Sequence, residues 1–143
     1  MSGAETLLQV SAVAIDGRAL LIEGAPGSGK STLALELIDR GAQLIGDDGV
    51  RLSRQGDRII ASPPPNIAGL IEIRGAGLAS VRSVRAPVAL GISLVADAPR
   101  FPETIEQREL LGLGVPWMPM LQSATALPLR AKWALRLHGI ALP

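Results

Sequence analysis

Short runs of apolar residues, four to seven long and separated by turn residues, recur along most of the chain, a pattern typical of β-strands. An Asp-Gly pair at 16–17 separates the first two runs and predicts a tight hairpin turn. The segment 86–97, "APVALGISLVAD", is the richest in strand-forming residues and predicts a central strand. The predicted strand regions are 10–15, 18–23, 42–48, 50–62 (a hairpin), 69–84 (strand, loop, strand), 86–97 and the extended segment 115–121.

Helical spacing of apolar residues occurs in fewer places. A helix is predicted over 31–40, with Gly41 ending it, and an amphipathic helix over 128–139. The segment "ETIEQRELL" at 103–111 predicts a further short helix, and "PPPN" at 63–66 an irregular linker. Many strands and few helices predict one domain over 1–143, of the α/β class with α+β character and a mixed sheet.

Composition narrows the function classes. The chain contains no cysteine, which excludes disulfides, thiolate catalysis and zinc–sulfur sites. No apolar run approaches the roughly 20 residues of a membrane span, and the first ten residues lack the basic start of a secretory signal. Net charge is only +1, and aromatic residues are 2% of the chain, which argues against nucleic acid as a partner. These features predict a cytoplasmic protein without nucleic-acid or membrane partners.

The segment "GAPGSGKS" at 24–31 matches the phosphate-loop pattern G-x-x-x-x-G-K-[ST] at every defined position. The alternative is a glycine-rich turn with an incidental lysine, but a predicted strand before it and a predicted helix after it favour the phosphate loop. Lys30 is then placed to contact the β- and γ-phosphates of ATP, and Ser31 to offer its hydroxyl to Mg²⁺. The predicted nucleotide-binding residues are Gly24, Ala25, Pro26, Gly27, Ser28, Gly29, Lys30, Ser31 and Thr32.

Three carboxylates are candidate partners of this loop. Asp47 and Asp48 follow the predicted strand "QLIG". Because adjacent strand residues point to opposite faces, we expect the two to have two different roles or to share only one role. A carboxylate beside the phosphates suits a base that takes a hydroxyl proton. The alternative is a solvated "DDG" turn, and the residues alone do not decide between the two. Glu72 lies between two isoleucines; it is either an exposed strand residue or a site residue beside the glycine-rich turn that follows.

Two segments together, "GAPGSGKSTLALELIDRGAQLIGDD" and "GLIEIRGAGL", resemble the catalytic domain of HPr kinase/phosphorylase. The resemblance covers about residues 9–80. The chain is similar to the short form of the family, which lacks the N-terminal domain. It implies a P-loop kinase-like fold and an ATP- and Mg²⁺-dependent kinase acting on a serine of HPr, the phosphocarrier of the sugar phosphotransferase system or its nitrogen branch. It also implies phosphorolysis of the phosphoserine and assembly into hexamers.

The resemblance also assigns roles by position. It implies that Lys30 binds phosphate, that Ser31 and Glu72 hold Mg²⁺, and that Asp48 is the base toward the serine hydroxyl, with Asp47 in support. In the reverse reaction Asp48 would act as the acid. The resemblance further implies that the protein substrate is contacted by Arg74, Gly75 and Gly77.

The sequence departs from the family at two places. The family's histidine in the first strand is replaced by Gln9, and its late "P-G-R-N" stretch has no clear counterpart, Arg130 being the nearest candidate. These departures favour an alternative function, a nucleotide-sensing module that binds ATP with little or no turnover. His138 is predicted to be a helix-end or surface residue, and Trp117 and Trp133 to be packing residues or subunit contacts.

Overall fold

The computed structural model describes residues 5–65, 68–100 and 104–142. Most of the strands join one nine-stranded sheet with the order β1-β5-β6-β9-β3-β2-β4, and β11 and β10 extend from β9 as a branch. β7 and β8 form a separate two-stranded hairpin. The elements are β1 (Glu5–Leu8), β2 (Ser11–Ile15), β3 (Arg18–Gly24), α1 (Lys30–Asp39), β4 (Gln43–Gly46), β5 (Val50–Gln55), β6 (Arg58–Ser62), β7 (Leu70–Ile73), β8 (Gly77–Ser80), β9 (Ala86–Val95), β10 (Glu106–Leu110), β11 (Leu113–Leu121) and α2 (Leu127–His138).

The sheet is mixed, as predicted. β3, β9 and β11 run parallel, whereas β2 pairs antiparallel with both β3 and β4. The first residues of β9 pair with β6 and its later residues with β3 and β11, so the sheet curls and branches around this strand. The prediction that 86–97 contains the central strand is confirmed.

Two cores lie on opposite faces of β3. Leu20 and Ile22 pack on the helix side with Leu33 and Leu37 of α1. Leu21 faces the other way, into the core enclosed where the sheet curls, which also contains Trp117. Burial on both faces explains why β3 is almost continuously apolar, as is typical of parallel strands covered on both sides. No helix in the described part of the chain is long and apolar enough to cross a membrane.

The helix predicted over 103–111 is wrong. Residues 106–110 form β10, which pairs antiparallel with β11. Leu111 and Gly112 make the connecting turn with positive φ values of 50° and 84°. The strand is favoured because β11 offers it an unpaired edge, whereas a helix there would leave that edge open. Residue 103 lies outside the described residues, as does residue 66 of the predicted linker. The sequence also gave no signal for the short, exposed β1.

A tight contact in the second core gives a test of the fold. A methyl group added at Gly91 would collide with the Trp117 ring, which lies directly across this residue. We expect Gly91→Ala to lower the free energy of unfolding by about 1–3 kcal/mol through overpacking, measured by urea denaturation. Gly114→Ala is the control, because its added methyl meets only the flexible end of Gln107, at 3.2 Å. Equal stability of the two variants would contradict the packing described.

Candidate active site

The glycine-rich segment forms a loop between the end of β3 and the start of α1. Gly27 and Gly29 have φ values of 81° and 102°, in the region that favours glycine, and the space where their side chains would project is open. Gly29 precedes the helix without a capping side chain, so the first amides of α1 are free to bind an anion. The loop therefore has the backbone geometry of a phosphate cradle.

The acidic pair lies next to this loop, directly after β4. Ser31 Oγ donates a hydrogen bond of 2.6 Å to Asp47 Oδ1. Lys30 Nζ forms an ion pair of 3.1 Å with Asp48 Oδ1. The two carboxylates differ in surroundings, since Asp47 is half-buried whereas the Asp48 side chain is 65% exposed. Because each acid contacts a different loop residue, the pair is part of the loop's surroundings rather than a solvated turn.

A buried serine that the sequence analysis missed holds the pair in place. Ser11, at the start of β2, is fully buried, and its hydroxyl donates to Asp47 Oδ1 at 3.2 Å. The same hydroxyl accepts the Asp48 backbone N–H at 3.1 Å, where Asp48 has a φ of 55°. Left-handed backbone is costly for a residue with a side chain, so this bond helps to hold Asp48 in that conformation. A lone polar residue at the start of the otherwise apolar "SAVAI" is the sequence signal that could have indicated it.

The hairpin of β7 and β8 brings the third acidic residue to the loop. The backbone N–H of Glu72 donates to Asp47 Oδ2 at 3.1 Å, so the hairpin is tied to the acidic pair. Glu72 and Arg74 share one cavity of about 400 Å³ with the loop. Gly75 and Gly77 lie in or directly after the β7–β8 turn, with φ values of 85° and 130°. The described residues that line the cavity are Gly27, Gly29, Lys30, Ser31, Thr32, Leu35, Glu72, Ile73 and Arg74.

A fourth carboxylate, also missed from the sequence, precedes the loop. Glu23 Oε1 accepts from Arg108 at 2.8 Å, and its Oε2 accepts from Ser93 Oγ at 2.6 Å. Burial raises the pKa of Glu23, but these two hydrogen bonds and the charges of Arg108 and Lys30 outweigh it and leave the pKa below its ordinary 4.5. Glu23 is therefore ionised beside the loop at neutral pH.

Neither Gln9 nor Arg130, the residues at the two departures from the family pattern, lines the cavity. Gln9 is exposed just before β2. Arg130 donates to the Thr125 carbonyl at 2.6 Å and does not line the cavity.

Trp117 is 2% exposed and packs in the second core, whereas Trp133 is 50% exposed on α2. His138 is half-buried in the last turn of α2.

Replacing the buried serine tests the support of the acidic pair. Ser11→Ala leaves the Asp48 N–H without its acceptor and removes a donor from Asp47. We expect the free energy of unfolding to fall by about 1–3 kcal/mol in urea denaturation. The exposed strand serine Ser80 is the control, and Ser80→Ala should change stability by less than about 0.5 kcal/mol. Similar values for the two variants would mean that the Ser11 hydrogen bonds do not stabilise the fold.

The lowered pKa of Glu23 predicts a pH dependence. Because its folded pKa lies below the unfolded value, the stability that ionised Glu23 contributes is fully present above about pH 4.5 and is lost as the pH falls through the folded pKa. Glu23→Gln lacks this component, so its stability relative to wild type should be lowest near neutral pH and recover on acidification. Thermal or urea denaturation from pH 7 to pH 3 measures the difference, and a pH-independent difference would refute the assignment.

Comparison with known proteins identifies the family and the fold of this chain. The family model of the HPr serine kinase C-terminal domain matches residues 3–110. HPr kinase/phosphorylase of Clostridium tetani is 40% identical over 93 residues, which is 65% of this chain and 29% of that protein. The protein of the same name from Bordetella pertussis is 46% identical over 69 residues, covering 48% of this chain and 22% of that protein. The chain thus spans less than a third of the length of these curated relatives.

A solved structure agrees over nearly the whole chain. The Hpr(Ser) kinase/phosphatase from Coxiella burnetii superposes with a TM-score of 0.81 and 30% sequence identity, covering 93% of this chain and 90% of that one. The likeness includes the curled mixed sheet and both helices that enclose the first core. With a family match over more than half its residues, this chain belongs to the HPr serine kinase C-terminal domain family.

Proposed function

We propose that this chain is a kinase domain that transfers the γ-phosphate of ATP, with Mg²⁺, to a serine of an HPr-type phosphocarrier protein. One observation supports this most strongly: the last two residues of the phosphate loop, Lys30 and Ser31, each contact one carboxylate of the acidic pair. A loop that only bound nucleotide would not need two acids at its phosphate end, whereas phosphoryl transfer needs both a metal ligand and a base.

Triphosphate binding is assigned to the loop residues 24–32, the segment from Gly24 to Thr32. The open backbone at Gly27 and Gly29 and the free amides of α1 fit phosphate oxygens. The ammonium of Lys30, whose side chain is only 14% exposed, adds a positive charge. In the proposed complex Lys30 turns from Asp48 toward the β- and γ-phosphates. This exchange of partners frees the Asp48 carboxylate for the protein substrate.

A Mg²⁺ ion fits the oxygen donors beside the loop. Ser31 Oγ and Asp47 Oδ1 lie 2.6 Å apart, and Glu72 lines the same cavity. No group of three or more acidic or histidine side chains with metal-site geometry occurs in the described part of the chain, so phosphate and water oxygens would complete the coordination. We assign Ser31 and Glu72 as ligands, with Asp47 in support. When bound, Mg²⁺ neutralises charge on the transferred phosphoryl group.

Asp48 is assigned as the base. Its exposure allows a serine on another protein to approach, and its contact with Lys30 places it at the phosphate end of the loop. In the proposed step Asp48 accepts the serine hydroxyl proton, the serine oxygen forms a bond to the γ-phosphorus, and the bond to the β-phosphate oxygen breaks to release ADP. In phosphorolysis, inorganic phosphate attacks the phosphorus of the phosphoserine and forms pyrophosphate. The bond between that phosphorus and the serine oxygen breaks, and Asp48 gives its proton to the serine oxygen.

The β7–β8 hairpin is the proposed contact for the phosphocarrier. It stands apart from the main sheet, Arg74 lines the cavity, and Leu78 beside Gly77 is 73% exposed. Gly75 and Gly77 give the hairpin turn its positive φ values.

We also propose that the 1–143 segment acts as one domain of a cytoplasmic homo-oligomer, which is a hexamer by analogy with the family. Its proposed role is in regulation of the phosphotransferase system.

A nucleotide sensor with little turnover is the second candidate. It is favoured by the exposed Gln9 at the family's histidine position and by the fact that Arg130 does not line the cavity. Both candidates bind ATP, so phosphate transfer is the measurement that separates them.

Asp48→Asn tests the kinase assignment. We expect transfer from labelled ATP to HPr serine to fall by about 10²- to 10⁴-fold, with ATP affinity retained, because asparagine keeps the shape but cannot accept the proton. Asp57→Asn, an exposed acid in the β5–β6 turn, is the matched control and should keep wild-type activity. If wild type and Asp48→Asn bind ATP equally and neither transfers phosphate, the sensor is correct; if both transfer equally, Asp48 is not the base.

A further inference from the structure

Four side chains from four strands form a closed ring at the end of the parallel strands. Glu23 of β3 accepts from Arg108 of β10 at 2.8 Å and from Ser93 of β9 at 2.6 Å. Trp117 Nε1 of β11 donates to the same Ser93 hydroxyl at 2.9 Å. The Arg108 guanidinium closes the ring, lying 3.9 Å from the Trp117 ring centroid. Both carboxylate oxygens of Glu23 are thus occupied, on the face of the sheet opposite the helices.

The ring depends on the register of the parallel strands. Glu23 and Ser93 are paired residues of β3 and β9, so their side chains lie on the same face. Trp117 is paired with Gly91, and the absence of a side chain there lets the indole lie across β9 to reach Ser93. The ring is therefore built into the sheet rather than formed by chance contact of surface side chains.

The ring connects directly to the phosphate loop. Glu23 immediately precedes Gly24, the loop's first glycine. A methyl group on Gly24 would collide with the Ser28 hydroxyl and would lie 3.4 Å from Leu94 Cβ, so the loop is packed tightly onto the strand end. The Glu23 carboxylate is consequently fixed close to the place where phosphate is proposed to bind.

The charge of Glu23 opposes the proposed ligand. Lys30 lies within electrostatic range of Glu23, so a carboxylate with no positive partner would weaken the loop's attraction for the highly negative triphosphate. Arg108 supplies the compensating charge, and its contact with Trp117 keeps it only 34% exposed, where solvent screens it less than a surface arginine. Its Nε also lies 3.8 Å from Glu106 Oε1, but the Glu106 side chain is 65% exposed, so solvent weakens that second contact.

We propose that Arg108 acts through Glu23 as an electrostatic positioning residue for the nucleotide: it neutralises the carboxylate that holds the strand end and so keeps the phosphate loop attractive to a triphosphate. The inference rests on the proposed function only in requiring that the loop bind ATP. Arg108 does not itself contact the nucleotide in this proposal.

Removing the two charges, one at a time and together, tests the proposal. Calorimetric affinities for ATP and ADP are measured at low salt for wild type, Arg108→Gln, Glu23→Gln and the double variant. We expect Arg108→Gln to bind ATP about three- to tenfold more weakly, with a smaller loss for ADP, which carries one negative charge fewer. The loss should shrink at about 0.5 M salt. Glu23→Gln should bind ATP at least as well as wild type does. The affinity of the double variant for ATP should lie within about twofold of the wild-type affinity.

A second arginine–tryptophan pair supplies a matched control. Arg136 lies 4.9 Å from the Trp133 ring centroid on α2, and neither residue lines the phosphate-loop cavity. Arg136→Gln should leave both nucleotide affinities unchanged. Thermal denaturation of every variant checks folding. If Arg108→Gln does not fold, Arg108→Lys is measured in its place; because lysine keeps the charge, this variant should bind ATP within about twofold of wild type.

The outcomes separate this proposal from the function on which it rests. If wild type binds ATP but Arg108→Gln binds it equally well, or if the double variant is as weak as Arg108→Gln, the electrostatic role is refuted and the ring is only structural. The electrostatic role is also refuted if Arg108→Lys is the variant measured and its affinity for ATP is tenfold or more below that of wild type. If wild type does not bind ATP at all, the proposed kinase function fails together with this inference.

Discussion

The hydrogen bonds of the Asp47 carboxylate are the constraint on which the site depends. One oxygen accepts from Ser31 at the start of α1 and from Ser11 in β2, and the other accepts from the Glu72 backbone in the β7–β8 hairpin. A single half-buried side chain therefore joins three segments that are distant in sequence. Such a carboxylate is held because each of its oxygens is satisfied, and loss of any one donor would leave a partly buried charge less well paired.

The fold places these segments at one edge of the parallel strands. β3, β9 and β11 run in the same direction, and the phosphate loop leaves the carboxyl end of β3, as is common for ligand sites in sheets with parallel strands. Burial of β3 on both faces fixes that strand between two cores. The loop is thus carried by one of the most constrained parts of the molecule, while the hairpin that closes the cavity stands outside the main sheet.

Charges around the loop occur in opposed pairs. Lys30 is paired with Asp48 on the cavity side, and Arg108 is paired with Glu23 at the strand end. Each pair joins residues far apart in the sequence, yet each includes one residue within or next to the loop. The two pairs differ in their neighbours, since Asp48 is largely exposed whereas Glu23 has both oxygens hydrogen-bonded. The first pair is therefore more open to exchange of partners than the second.

The sequence predicted what depends on local spacing. The phosphate loop, α1 within one residue at either end, α2, the central β9 and the two hairpins around 16–17 and 56–57 follow from glycine positions, turn residues and apolar periodicity. It also indicated Asp47, Asp48 and Glu72 as candidates, because they follow or interrupt apolar strands near the loop. The helix expected at 103–111 failed because local propensity competes with strand pairing, and only the neighbouring β11 decides that competition.

Contacts between distant segments were decided by the tertiary structure alone. The local sequence marks Ser11 only as a polar residue in an apolar strand, and it does not distinguish Arg108 from the other arginines of the strands. Their partners lie 36 and 85 residues away, so their roles follow from sheet order and register. Sequence by itself thus determined which residues are candidates for the chemistry of a phosphate loop. Folding decided which buried hydroxyls and paired charges hold those residues, because hydrogen bonds and ion pairs depend on distances that only the packed strands establish.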